Sequence, residues 1–257
     1  MKSETRSKIL GLFLFIILVG WILYLSFSTE KRGLNEQIKE IKITGNSLLN
    51  ENDYLSFAKL NNVRAYENIT LHDIKSRIEN HPYIQRADVE FSGNNQVHIN
   101  LIEKKIKAVL VNDNEIFLSS DEFEILPLFP DTRISNLPMI SNLDNDKLLK
   151  RNETLMTPGL IEAYKIIDTA DLTDKDLSKN LSEINLRNGG DIILLFSGIK
   201  PPVILGKGNT AKKLVSFDQL LLGDNGENEM VMNSSYIDLR FNNEIFLGNY
   251  DKTGLTE

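Results

Sequence analysis

The chain has 257 residues, 29 basic and 36 acidic side chains, and no cysteine. A hydrophobic fraction of 41% and a charged fraction of 25% are those of ordinary globular proteins and exclude a disordered or collagen-like chain. The missing cysteines exclude a disulfide scaffold, a thiolate metal site and a cysteine nucleophile, and the net charge of −7 argues against a duplex nucleic-acid binder, which needs a basic face.

The mean hydropathy of −0.20 averages over two unlike parts. Residues 9–27, ILGLFLFIILVGWILYLSF, form a run of nineteen without a charge. As a helix at ~1.5 Å per residue this run spans roughly 28 Å, close to a bilayer's hydrocarbon core. Trp21 and Tyr24 fall near its outer end, where amphipathic rings favour the interface. Lys2, Arg6 and Lys8 precede it against Glu4 alone, so residues 1–8 are expected in the cytoplasm as a short tail. The run exceeds the ~7–15 residues of a signal-peptide core, and Ser26-Phe27-Ser28 is a poor cleavage site. An uncleaved single-pass anchor is therefore expected. Residues 28–257 then lie outside, with 26 basic against 35 acidic side chains, a net −9.

Residues 35–105 read as a first outer module. Ile41 and Ile43 alternate with Lys42 as in a half-buried strand that ends at Gly45-Asn46. Asn50 to Asp53 offer capping side chains before Tyr54, Leu55 and Ala58. Thr70 to Asp73 resemble a capping box, followed by Leu71, Ile74 and Ile78 at helical spacing. His81-Pro82 stops that helix. Ala87, Val89 and Phe91, then Val97, Ile99 and Leu101, alternate with polar residues as two strands joined by Ser92-Gly93-Asn94-Asn95. The order is β-α-α-β-β.

The strand-ending Ile43-Thr44-Gly45-Asn46, the helix running to His81-Pro82-Tyr83-Ile84, Ala87-Asp88-Val89 and the QVHINLIEKK strand (96–105) resemble a POTRA domain. They look most like that of the FtsQ/DivIB cell-division proteins, which also carry a short cytoplasmic tail and one anchor before it. Glu103-Lys104-Lys105-Ile106-Lys107-Ala108 lacks the proline of that family's Glu-Arg-x-Pro-x-Ala.

Residues 106–248 read as a second module. Ala108–Val111 and Glu115–Leu118 are expected as short strands, Pro127 to Asn136 as a loop, and Leu137-Pro138-Met139-Ile140 as an extended piece. Pro158 suits the first turn of a helix carrying Leu160, Ala163, Tyr164 and Ile167 on one face. Ile184–Leu186 precedes a hairpin signal at Asn188-Gly189-Gly190. Ile192–Phe196 reads as a strand covered on both faces, and Val203–Leu205 as another. Asn209 or Thr210 caps a helix to about Leu222, Gly223–Glu229 is a polar loop, and Ser235–Phe241 and Glu244–Leu247 close the module around Asn242-Asn243. The expectation is about seven strands and two helices, mainly antiparallel. LPMI, LGKGNTAKKLVSFDQLL and SYIDLRFNN resemble successive segments of the same family, so the resemblance covers nearly the whole chain in order. The predicted fold is α+β: a transmembrane helix at 9–27, a βααββ POTRA domain at 35–105, an FtsQ-type β-domain with helices at 106–248, and a tail at 249–257.

No residue set reads as a catalytic, cofactor or metal site. His72, His81 and His98 lack ligand spacing and read as solvated or capping residues. Gly206-Lys207-Gly208-Asn209-Thr210 places its lysine between the glycines and does not fit a phosphate loop. Asp224-Asn225-Gly226-Glu227 lacks the remaining ligands of a calcium loop.

The resemblance implies a non-enzymatic divisome assembly protein in the cytoplasmic (inner) membrane at the septum, with its bulk extracytoplasmic or periplasmic. It implies binding to FtsB/FtsL-type division proteins and recruitment or regulation of septal peptidoglycan synthesis, with no cofactor, nucleic acid or small-molecule substrate. Strand addition to the last strands is the expected route, with Arg240, Phe241, Asn242, Asn243, Glu244 and Ile245 as the partner-binding residues. Arg240 would meet an acidic partner residue and Phe241 would be an aromatic anchor. The competing reading makes Phe241 core and Arg240 a solvated strand residue. Alternatives of other classes are a membrane-anchored enzyme such as a wall hydrolase, and a POTRA protein of outer-membrane assembly.

Overall fold

The computed structural model describes residues 15–22, 24, 38–63, 66, 69–112, 115–143, 152–223, 225–241 and 244–248. Residues 15–22 are helical and their apolar side chains are exposed. The expected anchor at 9–27 otherwise lies almost wholly outside the described residues, among which no helix is long and apolar enough to cross a membrane.

The first sheet has three strands in the order β1-β3-β2. β1 (Glu40–Thr44) runs parallel to β3 (Gln96–Glu103), which pairs antiparallel with β2 (Ile84–Gly93). Helices α1 (Glu51–Phe57) and α2 (Leu71–Glu79) lie between β1 and β2 in the chain, which gives the expected β-α-α-β-β order. Each helix starts on a reciprocal capping box, Asn50 with Asp53 and Thr70 with Asp73. Each box satisfies helix-end N–H groups that have no partner inside the helix. Asn94 and Asn95 both take positive φ (49° and 64°), the requirement of a two-residue turn matching strand twist. Tyr54, Ile74, Ile78, Val97 and Ile99 are fully buried beneath the sheet.

The end of β1 is held by one carboxylate. Glu103 accepts the backbone N–H groups of Ser47 and Leu48 and the hydroxyl of Tyr54. Gly45 enters this loop at φ +78°, and a Cβ there would lie 2.3 Å from the Leu101 carbonyl oxygen.

The second sheet has nine strands in the order β12-β11-β10-β9-β8-β7-β4-β5-β6. They are β4 (Ile106–Asn112), β5 (Glu115–Ser120), β6 (Ile125–Pro127), β7 (Met139–Ser141), β8 (Leu181–Asn185), β9 (Ile193–Phe196), β10 (Ile199–Ile204), β11 (Ile237–Asp238) and β12 (Phe246–Leu247). Five strand pairs are antiparallel, and β4/β7, β7/β8 and β10/β11 are parallel. The register aligns one residue from each of eight strands: Phe117, Leu110, Ile140, Ile184, Leu194, Val203, Ile237 and Leu247. This row faces α3 (Pro158–Thr173) and α5 (Thr210–Leu221) and forms the backbone of the second core. Thr157 caps α3 through its hydroxyl to the Leu160 N–H, with Pro158 in the first turn as expected.

Several expectations are corrected. Among the described residues there are nine strands and four helices here, not seven and two. α4 (Lys175–Asn180) is almost wholly polar, is capped by Asp174 and buries only Leu177, so it leaves little apolar periodicity to read. The expected loop at Gly223–Glu229 is largely α6 (Asn225–Met232), held to the core by Val231. β8 and β9 are joined through a 3₁₀ turn at Arg187–Gly189 with Asn188 left-handed, not by a tight hairpin. β9 is not covered on both faces: Leu194 and Phe196 are buried, whereas Leu195 is 36% exposed. The closing strands are two residues long, shorter than the alternation implies.

The two sheets share a boundary. Leu118 and Leu126 face away from the second core and are buried in the first. The Tyr83 hydroxyl donates to the Pro127 carbonyl at 2.8 Å and accepts the Phe129 N–H at 3.2 Å. Beside it His81 is 3% exposed, ringed by Tyr54, Phe57, Tyr83 and Phe129 at centroid distances of 4.5–5.2 Å. It is therefore not a solvated or capping histidine; its Nδ1 accepts the Tyr83 N–H.

Gly45→Ala is expected to lower stability by roughly 2 kcal/mol or more, since it adds both positive-φ strain and a backbone clash; thermal unfolding of the full chain reads the shift. Burial pushes the His81 imidazole down to about 4. The unfolded chain then binds one more proton between about pH 6.5 and 4, and stability falls as pH drops through that window, by about 2–3 kcal/mol. An NMR titration of His81 is expected to show its midpoint near 4; a midpoint at 6 or above overturns the assignment.

Candidate functional site

Sheet edges carry unpaired N–H and C=O groups, and an edge left open is a binding template. The edge at β6 is covered. Ile125 donates to the Glu153 carbonyl and accepts from the Asn152 N–H, Leu155 donates to Phe123, and Glu124 bridges Thr154. In the first sheet, β2 carries exposed Arg86, Asp88 and Glu90, charges that oppose pairing. The Ile43 N–H of β1 is taken by Glu51 at 2.9 Å.

β12 differs on each count. It pairs with β11 alone among the described residues. Gly248 exchanges backbone hydrogen bonds with Tyr236 and Ser235, so by alternation Leu247 and Ile245 turn their backbone groups outward. The strand itself has no charge. Ile245 and Leu247 pack against the core, while Phe246 is 47% exposed.

Four of the six residues singled out in the sequence, Arg240, Phe241, Glu244 and Ile245, lie in the connection between β11 and β12 and not in a strand, and Asn242 and Asn243 lie outside the described residues. Phe241 is not core: it is 51% exposed, and its ring meets that of Phe246 edge-on at 4.8 Å. Exposed Tyr236 adds a third ring nearby, over Gly248. Glu244 and Ile245 line a small pocket of about 110 Å³ with Leu239, Phe241 and, from α5, Lys213 and Ser216.

Arg240 remains 43% exposed while its guanidinium is engaged by two acids. Its Nε and Nη2 donate to the buried Asp238 carboxylate at 2.6–3.1 Å, and Nη1 donates to Asp191 at 2.8 Å. Its stem crosses Gly206, where a Cβ would lie 2.7 Å from Arg240 Cγ. The Arg240 hydrogen bonds hold the Asp238 carboxyl below the usual carboxylate range. Sequence reading missed Asp191 as a partner because its approach needs the β9/β10 and β10/β11 pairings, whereas Asp238, two residues from Arg240, was within local reach. It missed Phe246 as an exposed ring because strand alternation alone does not say which face is uncovered.

Elsewhere, a cavity of about 380 Å³ lies between the start of α3 and the Lys207-Gly208 loop, with Glu162 and Lys207 as its charged lining. Both are engaged, Glu162 by Thr210 and Lys207 by the Gly189 carbonyl. Among the described residues no group of three histidine or acidic side chains is placed to hold a metal.

The family described as POTRA domain, FtsQ-type, matches residues 37–104. That segment is an FtsQ-type POTRA domain. It contains β1–β3, α1 and α2, and it supports the likeness to FtsQ/DivIB proteins drawn from the motifs. No curated protein matches the chain. POTRA domains of FtsQ type are non-enzymatic in general and point to protein–protein interaction in cell division.

The buried Asp238 makes Arg240 a stability residue. Arg240→Ala is expected to lower the unfolding temperature at pH 7, where Asp238 is ionised. The gap to wild type should narrow below about pH 4, as the carboxylate protonates and the pair's contribution is lost. Thermal melts at the two pH values check this; a gap independent of pH refutes it.

Proposed function

We propose that the chain is a bitopic divisome assembly protein that binds FtsB/FtsL-type partners by strand addition to β12 and helps recruit or regulate septal peptidoglycan synthesis. Its parts are a cytoplasmic tail at 1–8, an anchor at 9–27, the POTRA domain at 35–105, a β-domain at 106–248 and a tail at 249–257. It sits in the cytoplasmic membrane with its bulk outside. The observation that carries the reading is an uncharged edge strand with a neighbour on one side only among the described residues, flanked by exposed rings, in a chain that also holds an FtsQ-type POTRA domain. A partner strand on β12 gains main-chain hydrogen bonds, and Phe241 and Phe246 supply the aromatic anchors that dominate such interfaces. Arg240 is held at this edge by Asp238 and Asp191 and keeps an exposed side chain there.

A fluorescent fusion of the full chain is expected to concentrate at the septum of dividing cells; an even membrane distribution overturns the division reading. Ile245→Pro removes an outward N–H while leaving the Gly248 hydrogen bonds to β11 in place. It is expected to abolish co-purification with the FtsB-type protein of the same cell. Phe241→Ala should weaken it about tenfold. Glu90→Ala, on the charged edge of β2, should leave it unchanged.

A further inference from the structure

We propose that residues 127–134 form an acid-released clasp between the POTRA domain and the larger sheet, with His81 as its trigger. The clasp follows β6 and reaches back onto the POTRA domain, where Phe129 and Ile134 pack against the core. The Arg133 N–H donates to the Leu48 carbonyl at 2.8 Å, and the Arg133 guanidinium donates to the Asn50 side chain. The Tyr83 hydroxyl is the hub. It donates to the Pro127 carbonyl at 2.8 Å, accepts the Phe129 N–H at 3.2 Å and lies 3.0 Å from the Thr132 hydroxyl. Only Lys104 and Lys105 separate β3 from β4, so the clasp is a second tie across the boundary.

His81 positions the hub. The Tyr83 N–H donates to His81 Nδ1 at 3.1 Å, so Nδ1 is the bare nitrogen of a neutral ring. A proton added there turns the acceptor into a donor and sets two N–H groups against each other. The ring is 3% exposed, and Phe129 of the clasp covers it with centroids 5.0 Å apart. The imidazolium therefore gains water only when Phe129 lifts, which takes the Tyr83 bonds with it.

The surrounding charges do not hold the cation in place. Glu103 of β3 favours the protonated ring, but burial opposes it more strongly. That carboxylate already accepts the Ser47 and Leu48 N–H groups and the Tyr54 hydroxyl. Asp53 of α1 is taken by the Asn50 N–H, Glu79 of α2 by the Ala87 N–H, and Arg133 of the clasp by Asn50. Asp131 of the clasp is exposed. Tyr54 and Tyr83 are pushed up by burial and stay neutral. The closed ring binds its proton only near pH 4, against about 6.5 once in water. Closure is thus strongest above pH 6.5 and weakens as pH falls. Opening is favoured about tenfold at pH 5.5 over pH 7.5, and approaches about 300-fold well below pH 4.

Amide hydrogen exchange of the full chain reads the clasp through the Phe129 and Arg133 N–H groups. Their opening constants are expected to exceed those of Ile99 and Leu110, in the centres of the two sheets, and to rise about tenfold from pH 7.5 to 5.5 after correction for intrinsic exchange. His81→Asn keeps a side-chain acceptor and does not titrate; it is expected to remove that rise. Tyr83→Phe keeps the ring without the hub hydroxyl, and is expected to raise clasp opening at least tenfold at pH 7.5. Opening constants equal to those of Ile99 and Leu110 at both pH values overturn the clasp as a separate unit. The same tenfold rise in His81→Asn overturns His81 as the trigger, and unchanged exchange in Tyr83→Phe overturns the hub.

Discussion

Phe117 and Leu118 are neighbours in the chain and belong to different cores. Phe117 lies in the row that packs under α3 and α5, and Leu118 is buried with Leu126 among the POTRA side chains. Ser119 again faces inward, where its hydroxyl meets the Tyr164 hydroxyl. A strand buried on both faces cannot shift register by one residue without exchanging its two apolar sets. β5 therefore fixes the larger sheet against the smaller one, and Tyr83, His81 and Phe129 close the same boundary with hydrogen bonds and ring contacts.

This constraint decides where an edge stays open. The POTRA domain covers the outer face near β4, β5 and β6, and residues 152–155 cover the edge of β6. Among the described residues the opposite end of the sheet receives neither. Eight spacings of about 4.8 Å separate β6 from β12, so roughly 40 Å of sheet lies between the covered end and the open one. Leu195 and Phe246 are exposed at that far end for the same reason. The chain thus separates a protected boundary, where its two sheets meet, from an unprotected one suited to another chain. β2 shows what protection by charge looks like in the same molecule, and β12 lacks it.

Much of this was legible in the sequence where local chemistry suffices. The capping boxes at Asn50 and Thr70, the Asn94-Asn95 turn, Pro158 in a first turn and the alternation of β2 and β3 each follow from neighbouring residues. They give the βααββ order without reference to anything distant. The second sheet was less legible because its strands are short and its pairing is long-range. β6 and β12 have three and two residues, too few to show a period. α4 is stabilised by its Asp174 cap and one buried leucine, and its polar sequence reads as a loop. Arg240 is the clearest case at the candidate site. Its type and position fit a partner-facing cation, but its charge is spent on two acids, one of which, Asp191, is 49 residues away in the chain.

The titratable groups with displaced pKa values sort by the same logic. Perturbed groups gathered in one cleft mark a catalytic site. Here Tyr54, Tyr83 and His81 share the POTRA core, and the others lie apart from them. Tyr54 and Tyr83 are raised by burial and His81 is lowered by burial, all at the POTRA core and its boundary. Tyr164 is raised by burial under β5. Asp238 is lowered by the Arg240 that covers it. Each of these has its partner inside the fold and finishes a structural task. On α5, burial lowers Lys213, whose ammonium donates to the Leu205 and Lys207 carbonyls, and raises Asp218.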